Sequence, residues 1–421
     1  MENRAICRQV VEALRNGIPP RRGVELYSVG NEKLIAGVKR HLLSAIQDQG
    51  IIRFVNGSWG AGKTHLFRQL RDLAFAENCL VSNVELNVTD AALNRFQTVF
   101  YAIARNVSTP VAEEAGSVAE AAPIRHVVRE SLAFLATGDH RMPDEVTYQH
   151  MDAARTALMA DPVIDIDFKK IVLAYWDTFL PEAADADLQE ECRSEILQWF
   201  SGEGTVGSYR KRFDVNKVPS KDNAKLMLQS LAGFARLSGY RGLLILFDEA
   251  EQAYSVMRRS ALRDAHNNLL SLINNIDGLP GLFLVYATTP DFYNDPRHGI
   301  VTYGALEGRI GRPRDSEPRA LDRIWNLDAI QTHRELYQEA ARKILNVYSC
   351  ATNVDAVDLP TQAEIDSLVA QLLIKHPGSS SCRFWRVLTT ALVLRLDDHI
   401  EGETRSTDQL YVDVMDRLRE A

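Results

Sequence analysis

The chain has 421 residues, enough for two or three domains rather than one minimal core. Its 46% hydrophobic and 25% charged residues exclude disorder as the default, and its net charge of −8 excludes a generally basic, nucleic-acid-coating surface while leaving room for a local basic groove. The longest apolar runs, GLLILF and GLFLVYA, fall far short of a membrane span, and the five cysteines are scattered and never spaced CxxC.

The N-terminus, MENRAICRQVVEALRNG, lacks the apolar core of a signal peptide, so we expect a cytoplasmic protein with reduced thiols, no zinc site and no membrane association. Residues 21–49, RRGVELYSVGNEKLIAGVKRHLLSAIQDQ, resemble the lead-in of origin-recognition-like AAA+ proteins, where an extended segment flanks the adenine. Val29 and Gly30 are therefore candidates for base contacts, with a plain turn before a helix as the other reading.

IIRFV, residues 51–55, reads as a buried strand, and NGSWGAGKTH follows it. Gly57 to Thr64 match GxxxxGK[ST] in full. Glycines open backbone dihedrals closed to other residues, so successive N–H groups can face phosphate oxygens. The binding set is Gly57, Ser58, Trp59, Gly60, Ala61, Gly62, Lys63, Thr64 and His65, in which Lys63 reaches the β- and γ-phosphates of ATP and Thr64 ligates Mg²⁺. A chance glycine turn is the alternative. Behind the loop, Leu66, Phe67, Leu70, Leu73 and Ala74 share one helical face, and strand, loop and helix N-terminus in that order suit phosphate binding.

CLVSNVELNVTD reads as a second strand. About 185 residues then separate Lys63 from the next acidic motif, and the stretch 110–225 reads as a helical insertion. Within it, SYRKRFDVNKVPSKDNAK sets Tyr209 and Phe213 around Arg210, Lys211 and Arg212, a pattern that grips nucleic acid in some proteins and is a solvated face in most. GLLILFDEAEQ gives a strand buried on both faces, ending in Asp248 and Glu249. At the carboxyl end of such a strand Asp248 suits Mg²⁺, and Glu249 suits orienting and deprotonating water; an acidic helix start is the bland reading. GLFLVYATTPDFY adds a fourth strand whose Thr288 and Thr289 resemble the sensor position of AAA+-type ATPases, against a capped Thr–Pro turn.

GRIGRPRDSEPRALDR is arginine-rich and broken by glycine and proline, placing Arg309, Arg312 and Arg314 on a loop or helix start, each a candidate finger for a neighbour's γ-phosphate or a plain surface ion pair. Four helical patterns fill 306–421, the position of an AAA+ lid, where Arg383 and Arg386 open a helix and could contact phosphates in cis.

The segments GIPPRRGVELYSVGNEK, SWGAGKTHLFR, DFKKIVLAYW, LILFDEAEQAYSVMRRSALRDAHNNLLSLINN, YATTPDFYND and YGALEGRIG together resemble the P-loop ATP-binding proteins of BREX phage-resistance loci, the BrxC/BrxD class, over nearly the whole length. The resemblance implies Walker A at Gly57–Thr64, Walker B at Asp248 and Glu249, and a sensor at Thr288–Thr289. It also implies a role in phage defence beside a helicase or another BREX-type partner.

The expected architecture is an α/β P-loop AAA+-like core with a large helical insertion and a C-terminal helical lid. Its spans are 1–109 (lead-in and Walker A), 110–225 (insertion), 226–305 (Walker B and sensor) and 306–421 (lid). The expected activity is Mg²⁺-dependent ATP hydrolysis by a homo-oligomer acting on DNA or on a partner, with a nucleotide-gated scaffold of slow hydrolysis as the alternative. A small-molecule kinase fits less well, because no short acceptor-binding core stands between the motifs and Glu249 suits water activation.

Overall fold

The computed structural model describes residues 2–114, 123–180, 186–250, 254, 256–330, 333–376 and 381–420. The fold is mixed α/β, with a six-stranded, mostly parallel sheet flanked by helices. Its strands are β1 (Ile51–Asn56), β2 (Leu80–Glu85), β3 (Val107–Ser108), β4 (Leu243–Asp248), β5 (Leu282–Thr288) and β6 (Ile324–Asn326), in the order β3-β2-β4-β5-β1-β6. β2 and β4 are parallel with Leu80 against Leu243 and Glu85 against Asp248; β4 and β5 are parallel with Leu243 against Leu282 and Phe247 against Tyr286. The short β3 closes one edge antiparallel to β2. The apolar runs of β4 and β5 follow from this placement, since a central parallel strand covered on both faces has no solvent side for polar residues. Leu243 to Phe247 and Leu282 to Ala287 are all buried.

The chain forms two compact units, each discontinuous in sequence. One comprises Lys39–Phe54 and Leu73–Arg312 and holds most of the sheet. Its helices include Ile124–Thr137, Tyr148–Ala160, Ile166–Asp177, Ala186–Ser201 and Val206–Phe213, as the periodicity of 110–225 predicts. Helix Tyr148–Ala160 starts where the Thr147 hydroxyl accepts from the His150 N–H at 3.2 Å. Phe168, Trp176, Trp199, Phe200 and Phe234 form an aromatic core there, and the Trp176 indole N–H finds the Val128 carbonyl at 2.8 Å. Tyr209 belongs to the interior, with its hydroxyl donating to the Glu203 carbonyl at 3.0 Å, and Arg212 is paired with Glu195. Of the two aromatics of the basic stretch, Tyr209 is thus a core residue, and Phe213 is half-buried.

The second unit comprises Met1–Val38, Val55–Asp72 and Pro313–Ala421. The N-terminal helix Glu2–Arg15 joins the helices Arg334–Thr352, Gln362–Lys375, Ser381–Glu401 and Thr407–Glu420 around one apolar core, to which Val10, Leu14, Ile344, Val369, Leu388 and Leu410 contribute. Arg15 forks onto Asp397 at 2.8 and 2.9 Å, and the Thr390 hydroxyl donates to the Leu14 carbonyl at 3.0 Å.

Helix Arg259–Asn275 buries Leu262, Ala265, His266, Leu269, Leu272 and Ile273, so its inner face is set by Ala265 and Leu272 and leaves Leu270 partly exposed. His266 is 2% exposed, and burial pushes its pKa down to about 4. A histidine held neutral in the fold favours unfolding once the unfolded chain protonates it, near pH 6.5. Stability should therefore fall as the pH drops from 6.5 toward 4, by about 2 kcal/mol at pH 5 from this residue. Urea denaturation at pH 7 and pH 5 checks this: His266→Leu should remove that share of the pH dependence, and an unchanged difference between the two pH values would refute it.

Candidate nucleotide-binding site

The glycine-rich loop Gly57–Thr64 lies in the unit that contains Val55–Asp72. β1 ends at Asn56, and helix Lys63–Ala76 begins at the lysine of the motif. Between them Gly60 and Gly62 stand at φ +82° and +92°, and nothing lies within 4 Å of a Cβ on Gly62, so backbone conformation rather than space demands that glycine. At Gly57 space decides: a Cβ would meet that of Ala61 at 2.7 Å. The Ala61 N–H closes the turn on the Ser58 carbonyl at 3.0 Å.

Lys63 is buried, and its ammonium donates to the Gly57 carbonyl at 2.7 Å and the Ser58 carbonyl at 3.4 Å, 5.6 Å from the centre of the Trp59 ring. Trp59 itself is exposed. Thr64 is exposed on the first helical turn, whose N–H groups and dipole favour an anion.

His65 is tied to the lead-in. The Ser28 hydroxyl donates to the Val24 carbonyl at 2.6 Å, so at 2.8 Å it accepts from His65 Nε2–H, and His65 Nδ1 is left to accept from the Tyr27 hydroxyl at 3.4 Å. Burial, and then the charge of Arg68, pushes the His65 pKa down to about 4, which keeps the ring neutral at pH 7. Val29 and Gly30, the latter at φ +84°, follow directly, and Asn31 donates to Gln69 at 3.1 Å. Lys343, on a C-terminal helix, donates to the Ser28 carbonyl at 2.7 Å. The lead-in and the start of the loop helix therefore meet through Tyr27 and Ser28, two residues that carry no motif.

The acidic residues and the threonines lie in the other unit. The strand register sets the carboxyl ends of β4 and β5 side by side, bringing Asp248 and Glu249 together with Thr288 and Thr289. Glu249 adopts a left-handed conformation, φ +58°, with its N–H donating to Asp248 Oδ1 at 3.0 Å. That conformation costs a non-glycine residue about 1–3 kcal/mol and marks a sharp turn out of the strand. Thr288 is fully buried, its hydroxyl 3.0 Å from that of Tyr293, which burial holds in the neutral form. Thr289 is buried at the start of helix Pro290–Asn294. Tyr293 is another residue the motifs do not announce.

The arginines separate. Arg309 lies in the last turn of helix Gly304–Ile310 rather than on a loop, at the end where a cation suits the helix dipole. Arg312 holds Glu307 at 2.7 Å, and Arg314 reaches Asp322 only at 4.0 Å. Arg386 is exposed on helix Ser381–Glu401; Arg383 is on the same helix, with its side chain outside the described residues.

Gly60 and Gly62 with positive φ and the exposed Thr64 hydroxyl fit a phosphate chain. No helix among the described residues is long and apolar enough to cross a membrane. No curated protein and no solved structure matches the chain significantly. The family model of the BREX system ATP-binding protein BrxC/D matches residues 3–414, and the chain belongs to that phage-defence family of ATP-binding proteins.

Proposed function

We propose that this ATP-binding protein hydrolyses ATP with Mg²⁺ as an AAA+-like oligomer, and uses the cycle to act on DNA or to load or regulate a partner helicase in BREX-type defence. The observation that carries the reading is the strand order: β5 lies between β1, which feeds the phosphate loop, and β4, which ends in Asp248 and Glu249. A strand interposed between those two gives the sheet room for a polar residue, Thr288 or Thr289, beside the acids, as water-activating ATPases require.

In this reading the loop N–H groups and Lys63 hold the β- and γ-phosphates, with Val29, Gly30 and His65 on the nucleoside side. Thr64 and Asp248 hold Mg²⁺, which neutralises phosphate charge. Glu249 accepts the proton of the attacking water as oxygen adds to the γ-phosphorus and ADP leaves. Thr288 and Thr289 orient the water, Arg309 completes the site of a neighbouring copy, and Arg383 meets the phosphates from the helical lid, 306–421.

Lys63→Ala should abolish or severely weaken ATP binding in titration calorimetry. Glu249→Gln should bind ATP like the parent and lose about 10²–10⁴-fold in phosphate release, because its carboxylate acts on water rather than on the nucleotide. Equal loss of binding in both variants contradicts these roles.

Hydrolysis per protomer should climb with protein concentration, and Arg309→Ala should flatten that rise. A slow rate independent of concentration in the parent protein would replace the motor with a nucleotide-gated switch.

A further inference from the structure

Three consecutive residues at the mouth of the phosphate loop are met one for one by three consecutive residues from far along the chain. Asn56 Nδ2 donates to Asn326 Oδ1 at 2.9 Å, both residues being buried. A Cβ on Gly57 would stand 3.4 Å from that of Leu327. Ser58 gives Asp328 both of its donors: the N–H lies 3.1 and 2.9 Å from the two carboxylate oxygens, and the hydroxyl donates at 2.8 Å. Asn326 also donates to the Arg314 carbonyl at 2.8 Å, so one amide side chain joins the end of β1 to the arginine-bearing segment.

We infer that Asn326-Leu327-Asp328 is a strap that sets the conformation of the phosphate loop, and that Asp328 is a positioning residue for nucleotide binding. The inference rests on the reading of Gly57–Thr64 as the phosphate loop. A glycine-rich loop has much conformational freedom to lose when it closes on a ligand. Fixing its first turn beforehand removes part of that cost, and a carboxylate accepting from a backbone N–H is among the stronger ways to do so. Asp328 commits the Ser58 donors to the protein and leaves the N–H groups deeper in the loop to the phosphates. A carboxylate beside a triphosphate also repels it, which alone would weaken binding in the parent. The sign of the effect of removing Asp328 therefore decides between positioning and repulsion.

The test uses the full chain and titrates ATP with Mg²⁺ into the parent, Asp328→Ala, Asp328→Asn and Ser58→Ala, with hydrogen exchange of the amides of residues 56–64 as a second readout. Asp328→Ala should bind ATP about tenfold more weakly and exchange faster in the loop while exchange elsewhere is unchanged. Asp328→Asn keeps one acceptor oxygen and should recover part of the loss; Ser58→Ala keeps the N–H bonds and should lose less than Asp328→Ala. Unchanged or tighter binding in both Asp328 variants, or loop exchange equal to the parent, overturns the strap. Lys63→Ala separates the two readings: if it too binds ATP like the parent, the fault lies with the loop assignment.

Discussion

A parallel strand covered on both faces tolerates charge only at its ends, and the polar chemistry of this protein is arranged by that constraint. Leu243 to Phe247 leave no place for a carboxylate until Asp248, and between Leu282 and Ala287 the buried Tyr286 hydroxyl needs Tyr254 as its partner at 2.9 Å. Because β4 and β5 run parallel in register, both strands run out of sheet at the same edge. Desolvation, more than any attraction among the polar groups, gathers Asp248, Glu249, Thr288 and Thr289 there. Glu249 leaves the strand through a left-handed turn, a local cost that the strongly buried strand behind it can hold.

The loop after β1 is governed by a different balance. Its glycines give the backbone freedom, and the surrounding side chains take that freedom away. Ser28 and Tyr27 fix His65, Lys343 fixes the Ser28 carbonyl, and Asp328 fixes Ser58. The partners in these contacts come from the N-terminal lead-in and the C-terminal third, so the loop is shaped by residues at both ends of the chain. The loop and the C-terminal helices belong to one unit, joined through these hydrogen bonds.

Membership of the BREX ATP-binding family agrees with what the loop residues can do chemically. In the basic stretch around Arg210, Tyr209 is a core residue and Arg212 pairs with Glu195, while Arg210 and Lys211 are exposed and Phe213 is half-buried.

The sequence by itself determined four of the six strands, the glycine pattern after the first of them, the helical character of 110–225 and of the C-terminal third, and the family. Each of these is written in local pattern: apolar runs, glycine spacing, 3.6-residue periodicity and extended matched segments. Tertiary structure alone decided that the N-terminal helix shares a core with the last four helices, that Tyr293 holds Thr288, that Ser28 selects the tautomer of His65, and that Asp328 grips Ser58. Those contacts join residues by distance in space, and the Asp328–Ser58 pair spans 270 positions. No local pattern distinguishes Asp328 from any other surface aspartate, because what makes it matter is the backbone N–H that folding brings within 3 Å of it.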